Sequence, residues 1–262
     1  FLVFVKSALA GDLGRSFVHG LPAIDLILSR MPATLELAFV ALVIAIALGL
    51  PLGMIAGLSP RSLVGRGIMA GSILGFSLPN FWLGLMLILA FAVELKVLPA
   101  GGRGQTRELL GLQWSFFTAD GLRHLLLPAL TLAIYKASLV ARLASAATRE
   151  TLVQDFVRFA RAKGLTPARI VGVHVLKTIL IPLVTVIGLE FGSMIAFAVV
   201  TETVFAWPGM GKLLIDSIYR LDRPVIVAYL IVIVATFVVI NLVVDVVYSL
   251  LDPRIRLSER KT

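Results

Sequence analysis

Cysteine is absent from the 262 residues, and charged residues make up only 15% of the chain. Without cysteine there is no disulfide framework, no thiol nucleophile and no cysteine-ligated zinc. So small a charged fraction excludes a disordered, self-repelling chain. It also excludes an ordinary soluble domain, in which about 25% of residues are charged. Metal-ligand spacing is missing as well. His19, His124 and His174 are scattered along the chain and no metal site is expected. What the chain has instead is apolar material: 59% hydrophobic residues and a mean hydropathy of +1.00. These figures describe a protein that crosses a membrane several times.

About 20 mostly apolar residues span the hydrocarbon core as a helix. Five such runs are present, over about 33–58, 67–93, 124–147, 178–203 and 224–251. They are too long and too uniform to be the alternating strands of a β-barrel. The expected fold is an all-α polytopic membrane helix bundle. Gly49, Gly53 and Gly57, spaced four apart in the first run, share one helix face and suit close helix approach.

The net charge of +9 raises the question of nucleic acid, but its placement answers it. Lys and Arg are densest in 59–66, 148–177 and 252–262, and cytoplasmic loops collect cations. These segments are therefore expected in the cytoplasm, with a cytoplasmic C-terminus. No basic helix with interleaved aromatics is left to bind nucleic acid. Residues 1–31 contain no complete span and no signal peptide, so the sequence reads as starting inside a longer protein.

The loop 149–177 is the most informative stretch. Glu150, Asp155 and Arg158 alternate with Leu152, Val153, Phe156, Val157 and Phe159, predicting an amphipathic helix. Arg161 and Lys163 suit its C-terminus, and Gly164 a left-handed terminating position. Thr166 as N-cap and Pro167 as first residue start a second helix toward Pro182 and the fourth span. A helix–glycine–helix elbow results. Its surface suits a cytoplasmic partner, or else the protein's own helix ends or lipid headgroups.

Intramembrane charge points to a pathway or an interior pair. Glu190 lines a pathway or pairs with Lys136 or Arg142; Glu202 is expected to fix the loop containing Trp207, Pro208 and Gly209. Asn241 and Asp245 lie one turn apart and are expected to hydrogen-bond between helices. Gly211-Lys212 looks like the end of a phosphate-binding loop, but Ala206 and Leu213 stand where Gly and Ser/Thr are needed. The chain is not itself an ATPase, nor an enzyme of any evident kind. A secondary transporter driven by an ion gradient, relaying through Glu190, Glu202, Lys136 and Arg142, is the alternative; it would show inverted repeats, and none is visible.

The run Asp155–Leu165, with Val173–Leu176 and Ile181-Pro182, resembles the coupling loop of type I ABC-importer permeases, and more narrowly the dipeptide/oligopeptide/nickel branch. Three further stretches agree: Pro32-Ala-Thr-Leu-Glu-Leu, Thr201 to Gly211, and Asn241 to Arg256. The general Glu-Ala-Ala reads Arg158-Phe159-Ala160 here, as is usual in the peptide branch. The resemblance implies a missing first helix ahead of a periplasmic segment 1–31, a transmembrane domain 32–251 with its elbow at 149–177, and a cytoplasmic tail 252–262. It implies a permease subunit of a bacterial inner-membrane importer for small peptides or a related solute. Partners implied are a second, homologous permease in a heterodimer, two cytoplasmic ATPases, a periplasmic or lipid-anchored solute-binding protein, and membrane lipid. ATP and Mg would sit on the ATPases, with no cofactor on this chain. Asp155, Ala160, Ala162, Gly164, Leu165 and Pro167 would form the coupling elbow, with Ala160, Gly164 and Leu165 near the contact.

Overall fold

Helices in the computed structural model outrun the apolar segments that mark them. The structure describes residues 6, 11–109 and 111–251, with side chains to 246; the tail 252–262 and most of 1–10 lie outside the described residues. Helix α1 covers Ala23–Leu58, beginning ahead of the expected span, with Asp25 in its first turn. A carboxylate there suits the positive end of the helix dipole. Asp25 and Arg30 interrupt an apolar run without interrupting a helix. The same holds for α4, Ala119–Leu152, and α6, Pro167–Val204. Helix α8 covers Arg223–Leu251. Hydropathy marks what lipid can cover; backbone hydrogen bonds continue beyond it.

The run 67–93 is corrected. It forms two helices, α2 (Leu63–Ser77) and α3 (Asn80–Glu94), bent by 104° at their junction. Pro79 causes the break. Its ring disfavours helical geometry in the preceding residue, and both Leu78 (ψ 132°) and Pro79 (ψ 131°) are extended. Ser62 caps the start of α2, its hydroxyl accepting the Gly65 N–H at 2.9 Å. Among the described residues four helices are long and apolar enough to cross a membrane, or five if the bent pair counts as one span. Two short elements complete the list: α5, Asp155–Ala162, and α7, Met210–Tyr219. Strands β1 (Arg107–Leu109) and β2 (Leu112–Trp114) form a small antiparallel hairpin.

The chain divides into two compact units. The first is drawn from Phe1–Ala41, Pro79–Leu132 and Gly192–Val239, the second from Leu42–Leu78, Ala133–Phe191 and Ile240–Thr262.

In the first unit, one turn of α1 is the anchor. Ala33 O accepts the Trp207 indole N–H at 2.9 Å. Thr34 Oγ1 accepts the Met210 N–H at 2.8 Å and donates to Glu202 at 2.6 Å. Glu36 is fully buried and satisfied on both oxygens. Oε1 accepts the Ser115 and Phe116 N–H groups at 2.6 and 2.8 Å and the Ser115 hydroxyl at 2.7 Å. Oε2 accepts from Arg103 Nη2 at 2.7 Å. A buried carboxylate persists only when so paired.

In the second unit, the glycines at 49, 53 and 57 meet α4. A Cβ at Gly49 would stand 2.7 Å from the Ala137 carbonyl, at Gly53 2.7 Å from Ala144 Cβ, and at Gly57 2.7 Å from Thr148 Cβ. Small residues on both helices let the backbones touch.

Among the described residues Asn241 and Asp245 do not make the expected hydrogen bond. Asn241 Oδ1 is buried without a hydrogen-bond partner, and Asp245 is exposed. Their spacing puts them on one face, but that face of α8 brings no donor to them among the described residues.

Candidate functional site

The elbow starts where α4 ends. Gln154 is extended at the head of α5, so the helix expected from residue 150 is two helices broken at Val153–Gln154. At its far end, Gly164 adopts φ +77°. The Leu165 N–H reaches the Ala160 carbonyl at 3.2 Å and the Gly164 N–H the Arg161 carbonyl at 2.9 Å. These paired bonds around a left-handed glycine satisfy the last carbonyls of the helix. Thr166 then caps α6 by accepting the Arg169 N–H at 3.4 Å, with Pro167 first in the helix.

The amphipathic pattern of α5 decides which side chains turn inward. Val157 and Ala160 join Ala144, Ile170, Val175, Ile179 and Leu183 in a buried apolar cluster, with Leu165 packed against it. Ala160 and Leu165, expected at a partner contact, therefore face the chain's own core. Asp155, Ala162, Gly164 and Pro167 are exposed. So are Phe159, at 61%, and Val153, at 65%. Lys163 Nζ lies 4.6 Å from the Phe159 ring centroid, and Arg158 stands 3.6 Å from Asp155. An exposed phenylalanine among cations, beside a glycine with open space around it, is the outward face of the elbow. The signal was legible: Phe159 lies two residues from the buried Val157, off the inward stripe.

The intramembrane charges separate. Lys136 pairs with Glu190, their side chains 13% and 26% exposed. Arg142 lies over the Phe76 ring at 4.3 Å. Glu202 belongs to the other unit and makes no ion pair among the described residues. It is fully buried, accepting from Thr34 and, at 2.9 Å, from the Lys212 N–H near the start of α7. A helix N-terminus offers unpaired N–H groups to a carboxylate. A Cβ at Gly209 would collide with this carboxylate, which accounts for glycine after Trp207-Pro208. Glu36 and Arg103 were not singled out from sequence; a carboxylate within the first apolar run was the available signal.

Asp222 organises the segment before α1. It accepts from the Ser16 hydroxyl, and from the Phe17 and Val18 N–H groups at 3.1 and 3.4 Å. Burial by itself raises its pKa, but these bonds and the nearby His19 together hold it below the ordinary aspartate range. Its contribution to stability is complete above the unfolded value near 3.8 and is lost as pH falls through the lower folded value. Hydrogen exchange at Phe17 and Val18 is therefore expected to show constant protection, corrected for intrinsic rates, from pH 7 to 5. Asp222→Asn is expected to reduce protection at pH 7 about tenfold, from loss of charge-assisted bonds. Unchanged protection in the variant would refute this anchoring role.

Among the described residues no group of three or more His, Asp or Glu could hold a metal ion.

Comparison with known proteins follows the same features. The profile of the family described as "Binding-protein-dependent transport system inner membrane component" matches residues 49–257. The di/tripeptide transport system permease protein DppB of Pseudomonas aeruginosa (strain UCBPP-PA14) is 41% identical over 268 residues, covering 98% of this chain and 80% of that protein. The oligopeptide transport system permease protein AppB of Bacillus subtilis (strain 168) is 38% identical, covering 97% and 79%. Among solved structures, the inward-facing MetNI methionine ABC transporter matches with a TM-score of 0.68 at 19% identity, over 87% of this chain and 96% of that one. This last likeness concerns the fold alone.

Proposed function

The chain belongs to the family of inner membrane components of binding-protein-dependent transport systems, and from that premise we propose that it imports di- or oligopeptides or a related small solute. It is a multi-pass membrane protein and a permease subunit, with ATP hydrolysis on separate subunits. In this reading it forms the pathway with a second homologous permease. Two ATPases bind ATP and Mg at the cytoplasmic face, and a periplasmic or lipid-anchored binding protein delivers solute. The C-terminus lies in the cytoplasm of a bacterial cell, on the side where Lys and Arg are densest.

The observation that carries the reading is the elbow. Phe159, Ala162 and Gly164 present an exposed outward face, while Val157, Ala160 and Leu165 tie that face to α4 and α6. A surface rigidly joined to membrane helices is what an ATPase needs to move them. Such coupling requires an element that both ends bias between two states.

Similarity to permeases named for di/tripeptide and oligopeptide transport supports the solute class. The test is uptake of labelled Ala-Ala into vesicles holding the assembled transporter. Uptake is expected to require ATP inside and binding protein outside. Uptake driven by an ion gradient without ATP would replace this reading with a secondary transporter relaying through Lys136 and Glu190.

A further inference from the structure

Aromatic and charged side chains from α2, α4 and α6 make a continuous series of contacts in the second unit. The rings of Phe76 and Tyr135 stack with centroids 4.7 Å apart. The Arg142 guanidinium lies over Phe76 at 4.3 Å, and Lys136 Nζ is 5.4 Å from the Tyr135 ring. Lys136 pairs with Glu190. The series thus holds two cations and one carboxylate, and the carboxylate is engaged by Lys136. Arg142 forms no ion pair among the described residues, and its Nε is buried without a hydrogen-bond partner.

The excess cation lies inside the apolar run 124–147 that is expected to cross the membrane. Arg142 is about 7.5 Å along α4 from the end of that run, at 1.5 Å per residue. Its side chain turns back to Phe76, whose ring also stacks on Tyr135, two turns deeper along α4. Helical side chains lean toward the N-terminus in this way. A snorkelling arginine would extend toward the nearer helix end at Leu152 instead. The guanidinium is thereby directed at the Phe76–Tyr135 stack and away from the nearer end of the run. An unpaired charge at such depth faces protein or a water-filled cavity, and marks a solute path.

We propose that Arg142 is a solute subsite of the translocation pathway, receiving the carboxylate of a small solute against the Phe76–Tyr135 stack. A guanidinium offers two parallel N–H donors matched to a carboxylate. The aromatic face holds the guanidinium in place before solute arrives. The neighbouring Lys136–Glu190 pair keeps the rest of the site neutral, so the attraction is to one anionic group. This subsite rests on the importer reading above.

The test uses the full transporter in vesicles: this chain, the second permease, the ATPases, and binding protein saturated with Ala-Ala. Arg142→Gln is expected to lower Ala-Ala turnover at least tenfold, while the subunits still co-purify and loaded binding protein still stimulates ATP hydrolysis within twofold of wild type. Arg142→Lys, which keeps the charge without the planar two-donor fork, is expected to give a turnover between those of Arg142→Gln and wild type. Wild-type turnover in Arg142→Gln overturns the proposal. Loss of co-purification in Arg142→Gln, restored in Arg142→Lys, overturns it too, by assigning the charge to an acid of the second permease. Parallel loss of transport and stimulated hydrolysis in an assembled complex overturns it as a structural defect. Wild-type vesicles that take up no Ala-Ala with ATP present refute the peptide-importer reading itself, and the subsite with it.

Discussion

Gly164→Arg is expected to lower ATP-driven uptake at least about tenfold while leaving the protein inserted and folded. Gly164 sits at φ +77°, where a side chain costs about 1 kcal/mol of backbone strain. Space is not the obstacle, since a Cβ there meets nothing within 4 Å. The strain removes part of a stability measured in several kcal/mol, so folding survives. Docking is expected to fail, because under the proposed coupling a partner's backbone approaches the exposed elbow beside Lys163 and Phe159, where the arginine would project. Uptake is expected to fall at least about tenfold, the equivalent of 1.4 kcal/mol or more in coupling. Protein level and chromatographic profile should stay within twofold of wild type. Gly164→Ala carries the strain without the bulk and is expected to keep most of the uptake. Wild-type transport by Gly164→Arg would remove the elbow from the coupling mechanism.

Gly53→Leu is expected to have the opposite phenotype, a protein that does not assemble its own helices. A Cβ at position 53 would lie 2.7 Å from Ala144 Cβ and 2.9 Å from Ala141 Cα. The second of these is backbone, which no rotamer change moves. Overpacking where only side chains must shift costs about 1–3 kcal/mol; pushing α1 away from α4 also opens the close packing at Gly49 and Gly57. The expected result is loss of the monodisperse peak in detergent and a melting temperature lowered by roughly 10 °C or more. Gly67→Ala and Gly71→Ala are the controls, because a Cβ at either position meets nothing within 4 Å. Alanine is a better helix former than glycine, so both should keep or gain stability. Equal damage at 53 and 71 would show that glycine content, rather than helix contact, governs this protein.

The contrast among these glycines shows where sequence reading reaches its limit. Four-residue spacing exposed the face made by Gly49, Gly53 and Gly57, because periodicity is a property of one helix. Gly67 and Gly71 share that spacing in α2, yet a Cβ at either would meet nothing within 4 Å among the described residues, because contact is a property of two helices. The elbow divided along the same line. Its left-handed glycine, its Thr166 cap and its Pro167 start were legible, each being set within a few residues. The inward turn of Ala160 was not, since it depends on Ile170, Val175 and Ile179 arriving from α6. Likewise the break at Leu78–Pro79 was hidden in an uninterrupted apolar run, because hydropathy registers proline weakly and backbone geometry registers it strongly.

Charges followed the same rule. That Lys136, Arg142, Glu190 and Glu202, set in or beside apolar runs, needed partners or a pathway followed from the sequence, because the cost of charge in hydrocarbon is independent of fold. Which partner each obtained did not follow. Lys136 and Glu190 are brought together by α4 and α6, while Glu202 met Thr34 and the start of α7.

By itself the sequence determined the membrane class, the helical fold, the direction of its loop charges and the grammar of the elbow. All of these rest on composition, short-range periodicity and transfer free energy. Tertiary structure alone decided the partners of Glu36 and Glu202, the contact of the Gly49/Gly53/Gly57 face with α4, and the setting of Arg142, which forms no ion pair among the described residues. Each of these is a meeting of segments far apart in the chain, and packing, which no local pattern encodes, selects among the meetings that polarity permits.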